Sequence, residues 1–325
     1  MMLSEMTTAY RQSNALFAFV ESQAPLYLTI QDGKTVEQLA QLCHVSQDRF
    51  HRLLNYMQTL NVLTKKEDKF YLTEQSAALN DPNSLETLHI KFELSPSCWN
   101  CWSQYSASLS EMSSKSAFEL HHNEKLFDYY SQKNNQDIKT TFDNFMAKLT
   151  HIMGDYIIQY MPLKGVSSVM DIGGGLGSLA KNIKAHYPHI QCHVMDQYDF
   201  TRKESEEITF MNGNFFSAIP SGYDAYCMKH ILHNWPDNKA IEILKNCHEA
   251  MNDNSVLYVI EMIKEPHDPV SESFDLFMDA LLLGIERNLA EFEFIAKQAG
   301  LAITNKYNIN YTFTGSNHYI IEMRK

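Results

Sequence analysis

The sequence predicts an α/β fold. A doubly wound, mainly parallel sheet follows an α-helical, winged-helix-like N-terminal module. Three observations carry that prediction. From about residue 165, strand-like and helix-like runs alternate, which implies right-handed crossovers between parallel strands. A glycine-rich turn, Val169 to Gly177, sits where the first of those strands meets a helix. The first 95 residues read as short helices closed by a small hairpin. The chain divides on this reading into 1–95, 96–160 (helical linker and pocket region) and 161–325.

In the N-terminal module, Thr35 with Gln38 three residues later forms a capping box that opens a helix with Leu39 and Leu42 on one face. Ser46 caps a second helix whose apolar stripe is Phe50, Leu53, Leu54, Met57 and Leu60. Val62–Leu63 and Phe70–Leu72 then flank the polar KKEDK turn as two short strands. Helix–turn–helix–wing can read DNA. These 95 residues hold 8 Lys and Arg against 11 Asp and Glu, however, so the module is a poor phosphate reader and is expected to pack or dimerise instead.

The whole chain points the same way. Its 325 residues carry 27 Lys and Arg against 39 Asp and Glu, a formal charge of −12, with no basic stripe for nucleic acid or an anionic membrane. No apolar run approaches the roughly 18 residues of a membrane span, and the N-terminus is too polar for a signal peptide. The six cysteines are scattered, as expected of reduced thiols in a cytoplasmic protein. Cys98 and Cys101 form a lone CxxC without a second pair at zinc-ligand spacing, so no metal is expected.

Residues 96–160 are helical and rich in aromatics, Met and His, suited to core or to a cavity wall. Beyond them, VSSVMDI, CHVMD, ITFMN, YDAYCMKHIL and SVLYVIEMI read as strands. SLAKNIKAHY and NKAIEILKNCHEAM read as helices, with a loop after CHVMD. The final NKYNINYTFTGSNHYIIEMR reads as two antiparallel strands at the sheet edge.

The turn Asp171-Ile172-Gly173-Gly174-Gly175-Leu176-Gly177 fails the dinucleotide fingerprint, because Ser178 stands where the third glycine or alanine belongs. What remains is acid-x-G-x-G-x-G, which implies no diphosphate. A carboxylate there suits a ligand bearing an amino acid's ammonium group, or a bound water network. Asp196, at the tip of the next strand, is placed to accept both hydroxyls of a ribose. Together the two signals favour S-adenosylmethionine.

The segment Lys229-His230-Ile231-Leu232-His233-Asn234-Trp235-Pro236-Asp237 follows a strand, where open α/β sheets bind ligands. An imidazole there suits a general base, and spacing alone does not choose between His230 and His233. Glu261 ends another strand. Glu286 stands in the loop Gly284-Ile285-Glu286-Arg287 and, read alone, is an ion-pair partner of Arg287 or a helix cap.

In MDIGGGLGSLAKNI, GNFFSAIP, YDAYCMKHILHNWPD, LKNCHEAM and DLFMDALLLGIER followed by EFEFIAKQAG, in this order, the chain resembles the small-molecule O-methyltransferases of plants and bacteria, the group of the caffeic acid and hydroxyindole enzymes. The resemblance covers nearly the whole chain. It implies a Rossmann-like class I methyltransferase domain, an N-terminal dimerisation domain and a homodimer. It implies S-adenosylmethionine as cofactor, S-adenosylhomocysteine as product and no metal. It also implies His233 as base, with Glu261 and Glu286 flanking it.

For the cofactor the resemblance implies Asp171, Gly173, Gly175, Gly177, Asp196, Asn214, Phe215, Lys229, Thr150 and Trp235. For the acceptor it implies Ala117, His121, Phe127, Phe142, Met146 and Asn234. Three positions depart from the family pattern: Asn214 and Asn234 each replace an Asp, and Leu149 stands where plant members often have a His. They bear on the substrate class more than on the chemistry. The expected reaction is methyl transfer to a hydroxyl of a small, aromatic molecule. The alternatives are N- or C-methylation on the same scaffold, or a cofactor-sensing DNA-binding regulator.

Overall fold

A computed structural model describes residues 3–110, 112–197, 207–313 and 316–325. The loop expected after CHVMD lies largely outside them. The chain separates into two units. One holds 1–100 and 130–146, the other 101–129 and 147–325. The helix Gln136–Tyr160 contributes to both.

The first unit contains the helix–turn–helix–hairpin. Thr35 makes both halves of its capping box with Gln38, as the sequence predicts. Ser46 occupies the N-cap position of Gln47–Thr59, but its side chain makes no capping bond. Phe50, Leu54 and Met57 are buried from that helix, while Leu42, expected beside Leu39, is exposed. Strands β1 (Lys34–Thr35), β2 (Leu63–Lys66) and β3 (Lys69–Leu72) pair in the order β1-β3-β2. The hairpin turn is only Glu67-Asp68, because Lys65 and Lys66 extend the strand and pair with Phe70 and Lys69.

In the second unit β4 (Ser168–Ile172), β5 (Gln191–Asp196), β6 (Ile208–Asn212), β7 (Ala225–Lys229), β8 (Val256–Met262), β9 (Ala302–Phe313) and β10 (Ser316–Arg324) form one sheet among the described residues, ordered β6-β5-β4-β7-β8-β10-β9. β4 to β8 pair in parallel, and β10 runs antiparallel to both β8 and β9. β7 and β8 are buried along their whole length, as central strands covered on both faces must be. Strands β5 and β6 are added on one side of β4, and β7 and β8 on the other, so the strand order reverses between β4 and β7. The C-terminal ends of β4, β5, β7 and β8 therefore form the crevice where such sheets bind ligands. Every strand-borne candidate residue lies at those ends.

Candidate active site

His233 sits in the single 3₁₀ turn Leu232–Asn234 just beyond β7. The chain enters that turn through His230 at φ +56°, a left-handed conformation that strains a residue with a β-carbon. The His233 ring is buried. Its Nδ1 donates to Glu286 Oε1 at 2.5 Å, and Glu261 Oε2 stands 3.7 Å from the same nitrogen. A proton on Nδ1 makes Nε2 the basic nitrogen. Burial by itself lowers the imidazole pKa. The carboxylates of Glu261 and Glu286 outweigh it, and the net shift is upward.

Glu261 comes from the end of β8. Its Oε1 accepts from the backbone N–H groups of Ile231 and Leu232, both at 2.9 Å, so it also holds the turn that carries the histidine. Its other oxygen and Glu286 Oε2 are buried with no hydrogen-bond partner. Burial, partly opposed by His233, pushes the Glu261 carboxyl up. Glu286 is therefore the imidazole's partner, not Arg287's. The guanidinium of Arg287 pairs with Asp237 at 2.9 Å. His230, the competing base candidate, accepts from Lys229 Nζ at 3.0 Å. Burial and three cationic neighbours hold its pKa well below the ordinary value, so it is a poor proton acceptor.

The glycine turn leads from β4 into the helix Ser178–His186, and Gly173, Gly175 and Gly177 all adopt positive φ. At Gly175 a β-carbon would meet nothing within 4 Å, so the backbone faces open space. Asp196 Oδ2 accepts from the Gly175 N–H at 2.9 Å, tying the tip of β5 to this turn. Asp171 lies buried beneath it, with Oδ2 unpartnered. Burial and the nearby Asp196, against Lys229, push its carboxyl up to about 7. Lys229, also buried, is pushed down to about 8 by burial, against Glu261 and Asp171. An orphaned acid beneath a backbone open to a ligand, with a second acid at the rim, fits a group that carries an ammonium at one end and a ribose at the other.

An O-methyltransferase domain model matches residues 102–302. The chain belongs to the S-adenosylmethionine-dependent O-methyltransferases. It is 30% identical to 3-O-methylredipecamine 2-O-methyltransferase of Carapichea ipecacuanha over 81% of this chain and 76% of that one. It is 26% identical to the mitomycin biosynthesis 6-O-methyltransferase of Streptomyces lavendulae over 90% and 86%. Mitomycin 7-O-methyltransferase superposes with a TM-score of 0.89 at 24% identity, covering 99% of this chain and 96% of that one. Human N-acetylserotonin methyltransferase, solved with S-adenosylmethionine, gives 0.84 at 22%, covering 99% and 96%. The fold is that of the class I methyltransferases.

In this O-methyltransferase the remaining candidates are distributed as follows. Phe215, Phe216 and Trp235 form an aromatic cluster beside the cradle, with Phe216 and Trp235 centroids 4.7 Å apart and edge-on. The Asn214 carbonyl already accepts from Phe216 N–H at 2.9 Å, and the Asn234 amide donates to the His230 carbonyl at 3.0 Å. Both asparagines therefore shape their own loops. Thr150 is half-buried in Gln136–Tyr160, and the Asn182 amide reaches its carbonyl at 3.5 Å and that of His151 at 3.2 Å. Ala117 is fully buried, whereas His121 and Phe127 are exposed. Phe142 and Met146 belong to the first unit, where Phe142 packs on Phe92 and Tyr130.

Three residues near the site were missed in the sequence. Phe274 places its ring 6.1 Å from that of His233. Asn246 donates to the Phe215 carbonyl at 2.7 Å. Arg287 donates to the carbonyls of Leu232 at 2.9 Å and Trp235 at 2.7 Å. Of these only Arg287, a charge following the loop's acid, carried a sequence signal. Among the described residues no group of three or more His, Cys, Asp or Glu is arranged to hold a metal, and no helix is long and apolar enough to cross a membrane.

Proposed function

We propose that the enzyme methylates a hydroxyl of a small aromatic molecule, with His233 as general base and without a metal. The observation that carries this reading is the buried imidazole whose Nδ1 is held by Glu286 at 2.5 Å, leaving Nε2 for the acceptor. When bound, S-adenosylmethionine supplies an electrophilic methyl group on sulfur. Gly173, Gly175, Gly177 and Asp171 hold its amino-acid end. Asp196 takes the ribose. Asn214, Phe215 and Trp235 would take the adenine end, and Thr150 and Lys229 would contribute elsewhere along the cofactor. His233 Nε2 would accept the acceptor's hydroxyl proton, while the cofactor would give its methyl to that oxygen and leave as S-adenosylhomocysteine with the S–C bonding pair. Glu286 and Glu261 stabilise the imidazolium that forms. The aromatic preference is supported by the row Phe274–Phe277–Trp102, with centroid spacings of 6.1 and 6.5 Å, which starts at the base. Ala117, His121, Phe127 and Asn234 of the second unit are assigned to the acceptor. One structural neighbour, an O-methyltransferase of neocarzinostatin biosynthesis, was solved with 1,4-dihydroxy-2-naphthoic acid, a hydroxylated aromatic molecule.

The test is transfer of labelled methyl from S-adenosylmethionine across phenols, hydroxyquinones, hydroxyindoles and phenazines, each paired with its amine analogue. Label on oxygen is expected, and label on nitrogen or carbon overturns the reading. His233→Ala is expected to lower kcat by roughly 10²–10⁴-fold while S-adenosylhomocysteine binding by calorimetry stays near wild type. Unchanged turnover removes the base assignment.

The protein is further proposed to be a cytoplasmic homodimer through residues 1–95. The first unit presents an apolar-lined groove of about 420 Å³ between Ala18, Ser22, Val45, Ser46, Arg49, Phe50 and Leu53. Light scattering at micromolar protein is expected to give twice the 37.5 kDa chain mass, and a monomer refutes it.

A further inference from the structure

We infer that Gly284–Arg287 is a clamp that sets the position of the His233 ring, with Arg287 as its positioning residue. The inference rests on the reading of His233 as the base. Besides Glu261, which holds the start of the turn, this one segment grips the ring, the carbonyl and both flanks of that residue. Ile285 N–H donates to the His233 carbonyl at 2.9 Å. Glu286 takes the ring Nδ1. Arg287 Nη1 donates to the Leu232 carbonyl at 2.9 Å and Nη2 to the Trp235 carbonyl at 2.7 Å, on either side of the histidine. Gly284 lies so close that a β-carbon would come within 2.3 Å of the His233 carbonyl oxygen.

Arg287 is 1% exposed, and its Nε edge is fixed by Asp237 Oδ1 at 3.0 Å. An ion pair serving stability alone would need only that edge. Here the other donors go to the carbonyls of Leu232 and Trp235, which flank the histidine, and the Leu232 carbonyl takes the guanidinium in addition to Trp235 N–H. The clamp is itself anchored. Glu286 N–H donates to Asp275 Oδ1 at 2.8 Å, and the Arg287 carbonyl accepts from Lys264 N–H at 3.0 Å beyond β8. The segment therefore ties the base to the helix Pro269–Leu282 and to the sheet. A ring displaced by about 1 Å from its reacting geometry can cost roughly 10² in rate.

Arg287→Lys keeps the charge but cannot fork to two carbonyls and a carboxylate. Gly284→Ala presses on the turn from the other side and leaves every polar group in place. In each variant the His233 pKa is read by ¹⁵N NMR of labelled imidazole, alongside the low-field signal of its Nδ1 proton and calorimetric binding of S-adenosylhomocysteine. The acid limb of kcat is followed with a hydroxylated acceptor from the screen above.

The expected result is a His233 pKa moved down toward the ordinary imidazole value, a shifted or broadened Nδ1 signal and kcat lowered about tenfold or more. Cofactor affinity should stay within about twofold. A purely structural Arg287 would lower the melting temperature yet leave the His233 pKa and Nδ1 signal as in wild type, which overturns the inference. If Arg287→Lys does not fold, Gly284→Ala decides by the same readouts. Failure of the base reading is separate, since it appears as unchanged turnover in His233→Ala whatever the clamp variants do.

Discussion

Two groups of buried carboxylates in the second unit are built in opposite ways. At the sheet edge Glu322 of β10 accepts from Thr304 Oγ1, Asn305 Nδ2, Tyr307 OH and Arg324 Nε, at 2.9–3.3 Å, with both oxygens engaged. Burial pushes its carboxyl up, but these donors outweigh burial and the net shift is downward. At the strand tips Asp171, Glu261 and Glu286 each keep one buried oxygen without a hydrogen-bond partner. Burial raises the carboxyl of Asp171 and that of Glu261. A fold does not leave such atoms unmade without cost, since each orphaned polar group forfeits about 1–3 kcal/mol. The saturated carboxylate contributes stability. The unsaturated ones hold capacity in reserve for a cofactor or an imidazolium.

The largest effect that sharpens this contrast is expected at Glu286. Glu286→Gln can still accept the Nδ1 proton through its amide oxygen but supplies no charge. Turnover is expected to fall roughly 10²-fold. With one raising charge removed, the His233 pKa drops and the acid limb of the kcat profile moves to lower pH. The measurement is kcat against pH for both proteins, and an unmoved limb would detach Glu286 from the base.

Next comes Glu322→Ala. Its loss strands donors on β9 beside a register shift between Glu322 and Met323. The expected cost is about 2 kcal/mol in denaturant unfolding, with kcat unchanged. A loss of turnover without a loss of stability would break the distinction between the two groups.

How much of this could be read in the sequence follows from how local each signal is. The strand–turn–helix at Asp171–Gly177 and the capping box at Thr35 are local, and both stand where the sequence puts them. The doubly wound, mainly parallel sheet is legible from the β/α alternation, but its strand order is not, because that depends on which side of β4 each crossover returns to. The carboxylate pairing is not, because it depends on where loops meet. Glu286, read locally, belonged to Arg287. The fold brings it 53 residues back along the chain to His233 and sends Arg287 to Asp237 instead. Choosing between His230 and His233 needed the resemblance, since the two stand three residues apart just after one strand. Their surroundings separate them. Lys229, His318 and His233 face His230, whereas two glutamates face His233. Asn214 and Asn234 stand where the family pattern has Asp, and the loop bond that each makes, a short-range choice open to any Asn side chain, was not legible from that departure.

The smallest expected effect tests the reserve at Asp171. Its carboxyl sits at about 7 in the folded protein, against about 3.9 in an unfolded chain. A raised acid binds its proton more tightly in the folded state. Its contribution to stability is therefore full below pH ~4 and is lost as pH rises toward 7. Above pH 7 the unliganded enzyme holds a buried carboxylate with one oxygen unpaired. Asp171→Asn removes that ionisation. The variant is expected to melt at least as high as wild type at pH 8, and to lose that advantage at pH 5, where Asp171 is already protonated. Glu322→Gln should behave in the reverse sense. The wild-type carboxylate is stabilising above its unfolded pKa, so the variant is destabilised at pH 8 and less so as pH falls through the folded pKa. Asp171→Asn should also weaken S-adenosylhomocysteine binding in calorimetry at pH 8, since a charge facing the ligand's ammonium end is gone. If Asp171→Asn instead lowers the melting temperature at pH 8 and leaves ligand affinity intact, Asp171 belongs with Glu322 as a structural carboxylate, and its unpaired oxygen is not a reserve for the cofactor.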